Sequence, residues 1–235
     1  SAPKLCSLPP RYRMAPDVVE KLVSEIEVKD ATTAAHTWRV VLYLRAVLEE
    51  VGADRPVIRA ATQAAALHDI GKLDIPREIL AKPDRLTDAE FEVIKQHTVT
   101  GYARLVDMDV DDAIILDLVR YHHEHWDGGG YPFGIAGEEI PVIARHFAVV
   151  DTFDALTSVR PYRAEVGEAA AEQAIEILED ASGTHYWPEA AELFIRLYRG
   201  GAFDWILENF HDTAELPTYR GDAEPPTRSS SMRNP

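Results

Sequence analysis

Apolar residues recur at helical spacing along almost the whole chain, while strand-like alternation is weak throughout, and this pattern confines the fold to packed helices. A first helix is expected from about Asp17 to Val28, with Pro16 in its opening turn. A second follows Asp30 as N-cap and runs to Gly52, with Val40, Val41, Leu44, Val47 and Leu48 as its apolar face. A third, alanine-rich helix spans roughly Arg55 to Leu67, delivers His68 and Asp69 at its end, and stops at Gly71. Thr87-Asp88-Ala89-Glu90 is a capping box, so the helix carrying His97 begins there. Another helix is expected from about Asp111 to His123, and Pro141 and Pro188 open two more, the first holding Asp151 and Asp154. A short turn or ribbon near Tyr131 to Ile140 is the best candidate for extended structure. The expectation is an all-α bundle over residues 15–212, with an extended segment 1–14 and a disordered, Pro-, Ser- and Arg-rich tail 213–235.

Charge and cysteine usage narrow the function classes. A net charge of -16 argues against polymeric nucleic acid as partner, because such binding needs a Lys/Arg surface. A small anionic substrate remains compatible if bound cations make one pocket locally positive. The single Cys6 excludes an internal disulfide. No apolar run approaches the roughly 20 residues that span a bilayer, and no signal peptide is apparent, so a cytoplasmic domain without a membrane is expected.

The richest chemistry lies in His122 to Pro132, HHEHWDGGGYP, where adjacent imidazoles, carboxylates and a glycine run fall together. Imidazole and carboxylate are common ligands of transition metals. His36, His68, His97 and the pair His122-His123 fall at four points on or at the ends of separate expected helices, and a bundle can aim such side chains at one point. Asp69 has two oxygens and could bridge two metals while His68 binds one of them, with Asp151 closing a shell from a distant helix. His125, His146, His185 and His211 have no motif support and are expected to be structural or exposed.

With these residues in hand, the chain resembles the HD-GYP family of metal-dependent phosphodiesterases from about His36 to Gly200. The strings that carry the resemblance are HDIGK at His68 to Lys72, QHTVTG around His97, HHEHWDGGGYP, and VVDTFDALTSVRPYR from Val149 to Arg163. The resemblance implies an HD-domain helical bundle with a C-terminal GYP-type helical extension. It implies metal ligation by His36, His68, Asp69, His97, His122, His123 and Asp151. Five imidazoles and two carboxylates suit iron or manganese better than magnesium. Family members with a third metal carry a glutamate four residues before the first histidine; here that position is Thr32. Two metals are therefore expected, with cyclic di-GMP cut mainly to linear pGpG.

Two ions about 3.5–4 Å apart activate a water and clamp a phosphate for in-line displacement. Lys72, three residues after Asp69, would bind the phosphate or protonate the leaving oxygen. Gly130, in a glycine run permitting positive φ, and Tyr131, able to stack on guanine, would line the substrate pocket. Arg160 and Arg163 offer guanidinium groups to phosphate or guanine. Glu124, Asp127 and Asp154 would orient histidines. Rival readings are the same chemistry on cGAMP, a non-catalytic binding module, and a mixed-valence di-iron oxygenase. A regulatory domain, a GGDEF-type partner and a homodimer are the protein partners that the resemblance admits.

Overall fold

The computed structural model describes residues 14–30, 33–158 and 168–221. Eleven α-helices are described: α1 (Pro16–Asp30), α2 (Ala34–Glu50), α3 (Arg55–Leu67), α4 (Arg77–Leu80), α5 (Asp88–Lys95), α6 (His97–Asp107), α7 (Ala113–Tyr121), α8 (Val142–Thr157), α9 (Glu168–Asp180), α10 (Pro188–Arg199) and α11 (Asp204–Asn209). The architecture is all-α; among the described residues extended pairing is confined to an isolated bridge between Ser182 and Tyr186. The stretch expected as a short turn or ribbon forms no ribbon and contains a 3-10 turn at Gly137–Glu139.

Helix α2 is the hub. Its sequence is apolar on nearly every side, and a helix of that kind belongs at the centre of a bundle. Trp38, Val40, Tyr43, Leu44, Val47 and Leu48 are all buried, between α3 on one flank and α8 on the other. Removing such a side chain from water contributes about 1.5–3 kcal/mol. Tyr43, Phe153, Phe194 and Phe203 join α2, α8 and α10 in one aromatic cluster, with Tyr43–Phe203 and Phe194–Phe203 centroids 5.0 and 4.7 Å apart. The alanines of α3, Ala60, Ala61, Ala64 and Ala65, are buried, and their small size lets α2 and α7 pack closely.

Three boundaries depart from the sequence expectations. The N-cap of α2 is Thr33, whose side chain accepts from the His36 amide; Asp30 instead ends α1 and serves the site below. The capping box at Thr87 opens α5, which stops at Lys95, and His97 begins a separate helix. Residues 213–221, expected as disordered tail, fold back over α1 and α2: Trp38 Nε1 donates to the Pro217 carbonyl (2.7 Å), and Tyr219 is buried against Trp38.

Candidate metal centre

The turn after α3 brings the first ligands forward. Asp69 and a 3-10 turn, Ile70–Asp74, follow His68, and the turn lies directly on α6. A Cβ on Gly71 would stand 1.9 Å from the His97 carbonyl oxygen, so only glycine permits this approach. That contact brings Asp69 to His97. Opposite, α7 ends at Tyr121 and presents His122 and His123.

The five histidines form one chain of rings. Centroid separations are 5.5 Å for His36–His68, 5.4 Å for His68–His122, 5.3 Å for His97–His122 and 4.1 Å for His122–His123. Two tight donor groups emerge: His36, His68 and Asp69, and His97, His122 and His123, the donor atoms in each lying within 4.8 Å of one another. Asp69 faces both. Its Oδ2 is 3.1 Å from His68 Nε2 and its Oδ1 is 3.4 Å from His97 Nε2. Asp151, from α8, stands beside the first group with Oδ1 3.8 Å from His68 Nε2.

Tautomers follow from the partners of Nδ1. His68 Nδ1 donates to the Ala65 carbonyl (2.7 Å), His97 Nδ1 to Ile94 (2.7 Å), and His122 Nδ1 to Val119 (3.1 Å). His36 Nδ1 donates to Asp154 Oδ2 (2.7 Å). Each bond leaves Nε2 facing inward, where it offers a lone pair once the ring is neutral. His97 Nε2 and His122 Nε2 then face each other at 3.3 Å as two acceptors without a proton between them. Two such lone pairs repel unless a cation lies between them and their neighbours, so the donor set fits a transition metal.

The electrostatics agree. Burial pushes His122 and His123 well below the ordinary imidazole value, reinforced by neighbouring imidazoles, and lowers His97 also. These rings stay neutral and able to ligate. Burial opposes charge on His68 as well, but the Asp69 and Asp151 carboxylates outweigh it and raise the group to about 9. Asp69, despite burial, is held well below the carboxylate range by His68 and Lys72. Since ligation needs neutral imidazole, metal uptake at pH 7 should displace about one proton from His68. Calorimetry in buffers of different ionisation enthalpy will measure it, and each pH unit below 7 should weaken this ion by about tenfold.

Lys72 sits within 2.8 Å of both Asp69 Oδ2 and Asp30 Oδ2. Burial disfavours its charge, yet the two carboxylates more than offset this and keep it protonated. Tyr131 stacks on His123 at 4.7 Å, so one ring face is already covered. Gly130 is needed for close approach: a Cβ there would lie 2.2 Å from the His125 amide nitrogen. Positive φ within the glycine run belongs to Gly128 alone. Of the three carboxylates expected to orient histidines, Asp154 does so. Glu124 instead accepts the Phe133 amide (2.7 Å), and Asp127 the Gly129 amide (2.8 Å), so both shape the loop. Thr32, Arg160 and Arg163 lie outside the described residues.

Sequence reasoning passed over Asp30, Arg39, Phe91 and Lys95. Phe91 is 44% exposed beside Tyr131, with centroids 6.3 Å apart, and the Lys95 ammonium stands 5.0 Å above its ring. The i, i+4 spacing of these two on α5 was the available signal, and only the fold turns that face toward the metal centre.

A family model described as HD domain matches residues 20–190. A cyclic di-GMP phosphodiesterase of Thermotoga maritima is 40% identical over 200 residues, covering 84% of this chain and 53% of that protein. One from Pseudomonas aeruginosa is 38% identical over 181 residues, covering 77% and 42%. The chain thus spans about half the length of the curated relatives it matches. A Vibrio cholerae structure described as a cyclic GMP-AMP specific phosphodiesterase shares the fold, with a TM-score of 0.60 at 14% identity over 85% of this chain and 54% of that one.

Proposed function

The chain belongs to the HD-domain family, and from that premise we propose that it is a metal-dependent phosphodiesterase opening the ring of cyclic di-GMP, mainly to the linear dinucleotide. The observation that carries this reading is Asp69, with one oxygen directed at each of two imidazole groups. His36, His68 and Asp151 would hold one ion and His97, His122 and His123 the other, with Asp69 between them. Iron or manganese suits this nitrogen-rich set. When bound, the ions supply Lewis acidity toward a phosphodiester and a more acidic water.

The chain's own residues do the rest. Protonated Lys72, held by Asp30 and Asp69, would bind a phosphate oxygen or give a proton to the leaving 3′ oxygen. Gly130 lets Tyr131 lie against His123, at the rim of the centre. Phe91 offers the open aromatic face and Lys95 a cation beside it, suited to one purine of the substrate. Arg160 and Arg163 stand as further substrate contacts. Base stacking is worth about 1–3 kcal/mol, so Phe91→Ala should raise KM about tenfold. Steady-state kinetics alongside metal analysis checks this, with metal content expected unchanged.

The deciding experiment is anaerobic loading with ferrous iron or manganese, followed by chromatography of products from cyclic di-GMP. Metal-dependent, persistent linear dinucleotide is expected, as Thr32 at the position of a third-metal glutamate implies. Rapid conversion to GMP would overturn the product assignment, and no turnover would overturn the substrate. The V. cholerae fold relative favours a second reading, the mixed guanine-adenine ring, which parallel assays on both substrates separate. A cytoplasmic setting, a regulatory domain or GGDEF-type partner, and homodimerisation belong to the same proposal. No helix among the described residues is long and apolar enough to cross a membrane.

A further inference from the structure

The segment 210–221 meets α2 at the three residues that directly follow His36. Thr37 Oγ1 donates to Glu27 Oε1 (3.5 Å), whose other oxygen accepts from Thr218 Oγ1 (3.1 Å). Trp38 donates to the Pro217 carbonyl. Arg39 Nη1 donates to both the Phe210 carbonyl and Asp212 Oδ1, each at 2.8 Å. The far side of the same guanidinium engages Asp154, Nε toward Oδ1 and Nη2 toward Oδ2 at 3.2 Å. Asp154 Oδ2 in turn accepts from His36 Nδ1. A continuous hydrogen-bonded path therefore leads from Asp212, through buried Arg39 and Asp154, to one metal-facing imidazole. The matched HD-domain region ends at residue 190, so Asp212 lies beyond it. The other histidines facing the centre take no part in this path.

We infer that Asp212 is a positioning residue for His36, acting through Arg39 and Asp154 to set the metal affinity of the His36–His68–Asp69 group while leaving the His97–His122–His123 group untouched. The inference rests on the metal reading above. The physical ground is that a ligating imidazole gains basicity and orientation from the carboxylate on its other nitrogen, and loss of such outer partners costs about 10–100-fold in metal affinity. If Asp212 is removed, Arg39 Nη1 keeps only the Phe210 carbonyl while Nη2 still donates to Ser158 Oγ (2.7 Å), so the guanidinium loses its anionic anchor on the side away from Asp154. Asp212 is 18% exposed, which makes it a gentler place to cut the path than Arg39 at 5%.

The test titrates the metal-free full chain with Mn²⁺, following free ion by electron paramagnetic resonance, and compares the parent with Asp212→Ala and Asp212→Glu. Two ions are expected on the parent. Asp212→Ala should weaken one by about tenfold and leave the other within twofold, and Asp212→Glu should recover most of the loss. Unchanged binding of both ions would overturn the inference. So would equal weakening of both, or a loss that simply follows a lowered melting temperature. A parent that binds no manganese would overturn the metal reading and this inference with it. No nucleotide enters the assay, so failure of the substrate assignment leaves the result intact.

Discussion

Asp69→Asn is expected to weaken both halves of the metal centre at once and to lower phosphodiester hydrolysis by about 10³-fold or more. The amide keeps the shape of the carboxylate but removes the charge that faces His68 on one side and His97 on the other. An ion between neutral imidazoles would then lack its shared anion, and the loss of even one strong electrostatic contact of this kind is worth several kcal/mol in the transition state. Lys72 would also lose one of its two carboxylates, keeping Asp30 alone. Metal content by elemental analysis and turnover of cyclic di-GMP read the two consequences separately. Substantial hydrolysis with both ions retained would remove Asp69 from the bridging position.

Arg39→Met is expected to destabilise the fold by about 3–5 kcal/mol, because it leaves the fully buried Asp154 carboxylate without its cation. For a chain of this size that corresponds to roughly 10 °C or more in Tm. Burial alone would raise the Asp154 pKa, but Arg39 and His36 overcome it and hold the group far below the carboxylate range. The sign of the pH dependence follows. A depressed folded-state pKa gives stability that is present above the unfolded value of about 3.9 and lost as pH falls through the folded one. The gap between parent and variant should therefore be widest at neutral pH and narrow below about pH 4. Urea unfolding at pH 7 and at about pH 2.5 measures it, and a gap independent of pH would assign the loss to packing of the arginine stem.

The bundle was legible because its signals are local. Pro16, Pro188, the Thr87 capping box and the apolar spacing of α2 each act within a turn or two, and each stands where the sequence puts it. The clustering of the candidate ligands was legible for a different reason: HDIGK and HHEHWDGGGYP are contiguous strings with a family resemblance. The network behind the ligands was not legible. Arg39 and Asp154 are separated by 115 residues, and no periodicity links them. The break before His97 escaped for the same reason, since it accompanies the close approach of Gly71 rather than any breaker in α5. Glu124 and Asp127 sit beside histidines in sequence, yet their carboxylates accept from backbone amides of the loop, Phe133 and Gly129.

His68 and His122 take their ring orientation from main-chain carbonyls one turn earlier on their own helices, and His97 takes its from the Ile94 carbonyl in the last turn of α5. Such supports cannot be removed by exchanging a side chain, so an alanine scan would pass over them. Their weak point is register. Inserting or deleting a single residue between the last core contact of α3 or α7 and its histidine rotates the ring by about 100° around the helix axis. For this centre, length variation in those turns is therefore more damaging than most substitutions, and tolerated insertions belong in the loops between helices.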